Sequence, residues 1–279
     1  MYKEINQIRN EIVEAIESDK LELPTLPEVA MQVRKVASDP AADCNHLMKV
    51  ISGDAGVSTH MLRLANSPLM RRSENSVTDL RQAIMQMGFG TSANLAVGIA
   101  ITQMFTADSR VIGERMRAAV KLSKEVAGLC QVVCKFSTQL QPEIAMLAGL
   151  VHNIGVLPVL KYAQSAPTLL KQPQFLDMAV CTLHPELGDR ILKQWEFDSE
   201  ICSVPSQHLE FSREIERVDY ADIVTFALLQ CSEGTDSPYA NIDRERVTAL
   251  QRLNIDAAND DFNSDEMQER LKASANSFG

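Results

Sequence analysis

Apolar residues recur at three- and four-residue steps through nearly the whole chain. The first set, Ile5, Ile8, Ile12 and Ile16, falls on one stripe of an amphipathic helix. LPTLPEVAMQVRKVASDP predicts a second helix: Thr25 and Glu28 have capping-box spacing, Pro27 sits in the first turn, Val29, Val33 and Val36 form the buried face, and Asp39-Pro40 stops it. Asp54 is placed to cap AGVSTHMLRLANS, whose Val57, Met61, Leu64 and Ala65 make the next stripe. Thr78 opens a further helix, which Gly88 closes. In the second half, Val120, Lys121 and Lys124 to Cys134 read as one helix, and Pro142 introduces EIAMLAGLVHNIGVL as another. HPELGDRILKQW starts with Pro185 in its first turn and carries Leu187, Ile191 and Trp195 on one face. VDYADIVTFALLQC groups Ile223, Phe226 and Ala227.

No set of alternating β-branched runs bounded by turns competes with this pattern, so the fold class is all-α. A polar interruption, TADSRVI at 106–112, divides the chain into two packed helical lobes, residues 1–108 and 109–279. The acidic, polar tail from Asn254 reads as a solvated terminus, partly helical or mobile. No heptad seam is sustained, so the oligomeric state is not legible.

Composition then excludes several classes. A hydrophobic content of 45% over 279 residues supports a substantial core. The formal charge of −10, with only short basic clusters such as Arg71-Arg72, argues against a nucleic-acid partner. The six cysteines are dispersed and read as free thiols in a reducing compartment. The charged N-terminus lacks a signal-peptide core, and unbroken apolar runs such as LAVGIAI at 95–101 are too short for a membrane span. A soluble, cytoplasmic protein with no membrane partner is the expectation.

There is no GxGxxG after a strand, no phosphate loop and no GxSxG elbow. Cys130 and Cys134 are one turn apart, but nothing nearby completes a zinc set, and the LANS stretch fits a helix end. The conspicuous polar pair is His152-Asn153, within LVHNIGVLP. On the residues alone, His152 reads as a core histidine bonded to a backbone carbonyl, and Asn153 as a side chain bonding the neighbouring helix. His184, just before a proline, reads as a capping or turn residue, and His46 and His60 as surface or boundary residues of the first lobe.

Several segments together resemble one family. LPTLPEVAMQV, the SDP stop, ISGDAGVSTHMLRLANS, DLRQAIMQMGFG, MLAGLVHNIGVL and HPELGDRILKQW occur in the order and spacing of the HDOD family, the HD-related output domains of bacterial signalling proteins, over about residues 20–210. The resemblance implies that the second lobe is an HD-like helical bundle, with 211–279 mostly a C-terminal extension. It also implies where metal ligands would lie. HD phosphohydrolases hold a divalent metal with an upstream histidine, an adjacent His-Asp pair and a later aspartate. Those positions fall here on Leu122, His152-Asn153 and Asp222, with His184 and His208 where related sequences carry further histidines. A hydrocarbon and a neutral amide replace two of the four ligands, so no catalytic residue and no metal are expected. The alternative is a divalent metal held by His152, His184, His208 and Asp222.

Two functions follow. The first is a non-catalytic bacterial signal-transduction domain that binds a partner protein or small ligand. The alternative is a metal-dependent phosphohydrolase acting on a nucleotide or cyclic dinucleotide. No receiver, cyclase or phosphodiesterase segment is recognisable, so signalling proteins are the expected partners, met by non-covalent association.

Overall fold

The computed structural model describes residues 2–18, 23–72 and 75–255, together with Glu269. Most of the tail beyond Asn254, and with it the expectation of a solvated terminus, lies outside the described residues. Among the described residues every regular element is helical.

Tyr2–Glu17 forms α1, with Ile5, Ile8 and Ile12 buried as the stripe requires. Glu28–Ala37 is α2, Cys44–Ile51 α3, Ala55–Ala65 α4, Leu80–Met87 α5 and Phe89–Thr102 α6. Two helix starts differ from the sequence reading. Thr25 and Glu28 form no capping box, because Pro27 is itself the N-cap of α2 and Thr25 lies outside it, exposed. The cap of α5 is Asp79, not Thr78; its carboxylate accepts the Gln82 N–H at 2.9 Å. Asp54 caps α4 as expected, accepting the Val57 N–H at 2.8 Å. Gly88, at φ +88°, joins α5 to α6 through a bend of 116°, a conformation that a side chain would strain. The bend makes α6 the centre of the first lobe, where it packs on α2, α3, α4 and α5.

The second lobe begins with Arg110–Ser137 (α7), about 40 Å long at the helical rise. Pro142–Val151 (α8) lies along it so closely that a Cβ on Gly149 would fall 2.5 Å from the Ala127 Cα. Val156–Ser165 (α9), Pro167–Leu170 (α10), Pro173–Gln194 (α11), Ser199–Cys202 (α12) and Val204–Gln207 (α13) follow. Tyr220–Ser232 (α14), a 3₁₀ turn at Arg244–Arg246 and Thr248–Arg252 (α15) complete the described elements. Helix α14 packs on α7 and α8, and α9 packs on α11.

Two segments of the second lobe depart from the helices their sequence predicts. EIAMLAGLVHNIGVL is not one helix: α8 stops at Val151, and residues 152–155 form a turn tightened by bonds such as Val156 N–H to the Asn153 carbonyl at 2.9 Å. Nor does Pro185 start a helix. It lies inside α11, whose first turn is opened by Pro173, so His184 is a mid-helix residue and has no capping role.

The lobes share one apolar core running from Ile5 to Leu253. Helix α6 packs on α8 as well as on its own lobe. His60 of α4 sits 3.1 Å from the Lys124 ammonium of α7, which makes it a contact between the lobes. Arg9 pairs with Glu186, and Arg34 donates to the carbonyls of Trp195 and Glu196 while lying over the Phe197 ring, so α1 and α2 both grip α11 or the chain just beyond it. The stretch Pro142–Ser165 has the length and hydropathy of a membrane span, although polar residues such as His152 and Asn153 interrupt its apolar run. Of its most apolar window, 89% is buried inside the protein, so its apolarity is spent on the core. All six cysteines are free thiols.

Candidate functional site

Three histidines from separate segments meet inside the second lobe. His152 sits at the C-terminus of α8, His184 in the middle of α11 and His208 at the C-terminus of α13, with 1%, 5% and 1% of their surface exposed. The His208 ring stands edge-on to His152, with centroids 5.2 Å apart, and tilted to His184 at 5.9 Å.

Each ring is held the same way. Nδ1 of His152 meets the Gly149 carbonyl at 2.7 Å, that of His184 the Val180 carbonyl at 2.9 Å, and that of His208 the Val204 carbonyl at 2.9 Å. A carbonyl only accepts, so Nδ1 carries the hydrogen in all three rings, and Nε2 of each neutral ring is the lone-pair nitrogen. Pro185 contributes to this arrangement: lacking an N–H, it leaves the Cys181 carbonyl free, and that carbonyl also faces the His184 ring. Burial pushes His152 and His184 down to about 4, each partly opposed by its carbonyl bond, and pushes His208 well below the ordinary histidine value, helped by the other two rings. Near neutral pH the cluster is therefore uncharged.

The rings line a cavity of about 250 Å³. Its other walls are mainly apolar, with Leu122, Val156, Leu160 and Leu228 contributing, and Arg115, Asp177 and Tyr239 add polar groups. Arg115 Nε donates to Asp177 at 2.9 Å, which ties α7 to α11 beside the cavity.

Asn153 also lines the cavity, but its amide is engaged: Nδ2 donates to the Ala119 carbonyl at 3.0 Å, and Oδ1 accepts from the Ser123 hydroxyl at 2.7 Å. Asp222 does not join the histidines. Fully buried at the start of α14, it accepts from Arg252 Nη2 at 2.7 Å and Nε at 2.8 Å, and from Arg213 Nη2. Arg213 binds Asp219 with two further bonds, at 2.7 and 2.8 Å, and Asp219 is the N-cap of the same helix. Both carboxylate oxygens of Asp222 are thus committed to guanidinium groups.

The structure thus brings His152, Asn153, His184 and His208 to one cavity, beside Leu122, and sets Asp222 apart. A hydrolytic divalent metal does not fit this donor set. The hydrocarbon of Leu122 cannot ligate, Asn153 uses its oxygen elsewhere, and Asp222 is held in an ion-pair network. Among the described residues no group of three or more His, Cys, Asp or Glu side chains is placed to hold a metal ion. Sequence reasoning missed Arg213 and Arg252, which neutralise Asp222. It also missed Ser123, although a serine in an otherwise apolar helix face was a visible signal.

The helical bundle with this histidine cluster at its centre is of the HD-like class. The chain belongs to the HDOD domain family, whose profile matches residues 23–211. A crystal structure of a candidate metal-dependent phosphohydrolase from Shewanella amazonensis SB2B is 26% identical, with 99% of each chain covered and a TM-score of 0.84. An HDOD domain protein of unknown function from Geobacter sulfurreducens shares the fold at 18% identity, covering 97% of this chain and 98% of its own, with a TM-score of 0.65. A candidate signal transduction protein from Marinobacter aquaeolei VT8 does so at 18% identity and a TM-score of 0.70, over 97% of this chain and 65% of its own. An uncharacterized protein of Treponema pallidum (strain Nichols) is 19% identical over 260 residues, covering 85% of this chain; the match spans about half, 48%, of that protein's length.

Proposed function

We propose that this chain is a non-catalytic signal-transduction module that works by binding, with signalling proteins or a small ligand as its partners. The observation that carries this reading is the fate of the two acid positions. Hydrolysis of a phosphoester by a bound metal needs anionic oxygen ligands and an open coordination position. At the first position a neutral amide is locked to α7 by Ser123 and the Ala119 carbonyl. At the second, the Asp222 carboxylate lies between Arg213 and Arg252. The likeness to a signal transduction protein supports the reading at the level of fold. The likeness to a candidate metal-dependent phosphohydrolase is the argument for the alternative.

The test is metal content after purification without chelators, followed by turnover of cyclic dinucleotides and nucleotide phosphodiesters with added manganese. The expected result is no stoichiometric metal and no turnover. Stoichiometric metal with turnover abolished by His152→Ala would overturn the proposal.

A further inference from the structure

The replacement of metal ligands by Leu122 and Asn153 does not erase the cavity; it changes what the cavity can hold. Its walls are largely hydrocarbon, which favours an apolar body. The cation on its wall, Arg115, is already paired with Asp177, and Asn153 gives one N–H and one oxygen lone pair to α7. A charged ligand would therefore lose hydration for a counter-ion it must share with the other member of that pair, which is costly beside largely hydrocarbon walls. What the cavity does offer is acceptors. Each ring turns its Nδ1 edge to the backbone of its own segment, so the opposite edge, bearing the Nε2 lone pair, faces outward from that segment. A ligand that brought only carbon to this edge would leave a buried acceptor unsatisfied, whereas one N–H or O–H would satisfy it. Size narrows the class further. A cavity of about 150 Å³ holds benzene, and this one, at about 250 Å³, has room for a fused pair of rings.

We infer that the cavity lined by His152, His184 and His208 binds an uncharged, mainly apolar ring compound of one or two rings that carries an N–H or O–H donor. The inference deepens the binding-module reading and rests on it. The donor reaches a histidine Nε2, and the ring body lies against Leu122, Val156 and Leu160. Signal reception by such a site needs no chemistry, only a difference in affinity between two states of the module.

Indole and indene form a matched pair of probes, alike in shape but differing in the N–H. Calorimetric titration of the full chain at pH 7.5 is expected to give saturable one-to-one binding of indole and an affinity for indene weaker by roughly tenfold. His208→Leu is expected to reduce indole to the level of indene while leaving indene unchanged. Leu122→Trp, which fills the cavity from its half-buried wall, is expected to abolish both while retaining the native circular dichroism. No saturable binding of indole at millimolar concentration, equal affinity for the two probes, or undiminished indole binding by folded Leu122→Trp would overturn the inference. Should His208→Leu not fold, the probe pair and Leu122→Trp decide alone. Turnover with manganese is measured on the same preparation. Absence of both turnover and indole binding sinks only the ligand, turnover alongside indole binding sinks only the non-catalytic reading, and turnover without indole binding sinks both.

Discussion

The Ser123 hydroxyl lies 2.7 Å from Asn153 Oδ1 and 3.0 Å from the Ala119 carbonyl, so its single hydrogen serves one short bond between the long helix α7 and the end of α8. Asn153 returns a bond from its amide nitrogen to the same Ala119 carbonyl. The pair explains why an asparagine is better accommodated here than the aspartate of the metal-binding pattern. An amide can both accept from Ser123 and donate to Ala119, whereas an ionised carboxylate can only accept.

Asn153→Asp tests this. At neutral pH a carboxylate oxygen would face the Ala119 carbonyl where the amide now donates, in a position only 4% exposed. A loss of roughly 2–4 kcal/mol in unfolding free energy is expected. Its sign with pH follows from the folded state favouring the protonated acid: the folded pKa is raised above the unfolded one, so the penalty grows as pH rises through the acid range and levels off once the folded group has ionised. Urea denaturation of both proteins at matched pH values measures it. A variant as stable as the parent at pH 7.5 would contradict the account, as would the appearance of manganese-dependent turnover.

Asp222 is a second case in which a position with a chemical precedent has a structural use. Asp222→Asn would leave Arg252 without its carboxylate and Arg213, 8% exposed, paired with Asp219 alone. A cost of roughly 3–5 kcal/mol is expected, because breaking one side of a buried ion network strands the other. Adding Arg252→Met should recover part of that loss, and a double-mutant cycle in urea reads the coupling. Additive losses would show that the network is not the reason for the aspartate.

Most of the helical order was legible because burial on one face leaves a periodic trace: α4 buries all four residues its period picked out, and α1 buries Ile5, Ile8 and Ile12 with Ile16 partly buried. The first half of α11 was not legible for a physical reason. Pro185 is a helix-starting signal by its ordinary chemistry, and it hides the turns before it, although Pro173 at the first position and Leu176, Ala179 and Leu183 at helical spacing marked the true start. The convergence of His152, His184 and His208 belongs to the same category. Nothing local in the sequence brings three segments together; the resemblance supplied the candidates, and packing of α9 and α13 on α11 supplies the contact. Asp222 failed as a site residue because its partners, Arg213 and Arg252, lie 9 and 30 residues away, beyond any local pattern.

Close backbone approach makes a third, independent test. A Cβ on Gly155 would fall 2.0 Å from the His184 carbonyl oxygen and 2.5 Å from the Gly188 nitrogen, and neither can move without displacing α11. Gly155→Ala is expected to cost more than about 3 kcal/mol or to prevent folding. Gly90, exposed in the first turn of α6, meets only the Glu143 side chain at 3.4 Å. Gly90→Ala should be neutral or stabilising by up to about 1 kcal/mol, since it reduces the freedom of the unfolded chain. Thermal melts of the two variants side by side decide it, and equal destabilisation would refute the packing argument.

The histidine cluster predicts a specific acid sensitivity. His152 and His184 are pushed down to about 4 by burial, and His208 well below its ordinary value, whereas in the unfolded chain each titrates near 6.5. Between those values the unfolded state binds more protons than the folded one, so stability rises with pH across that window. The contribution of the neutral rings is fully present above about pH 6.5 and is lost progressively as pH falls toward 4. By pH 5 the loss is about 2 kcal/mol for each ring that stays neutral in the folded state. Ordinary carboxylates titrate mainly lower, near 4. Urea midpoints at pH 7.5, 6.0 and 5.0 should therefore fall steeply over the last interval. His184→Gln keeps an amide donor for the Val180 carbonyl but cannot take up the proton, and it should flatten that fall by about one ring's share. A pH-independent midpoint from 7.5 to 5.0, or an unaltered slope in His184→Gln, would mean that the rings are hydrated enough to charge in place, and the cavity would then no longer be a site for uncharged ligands alone.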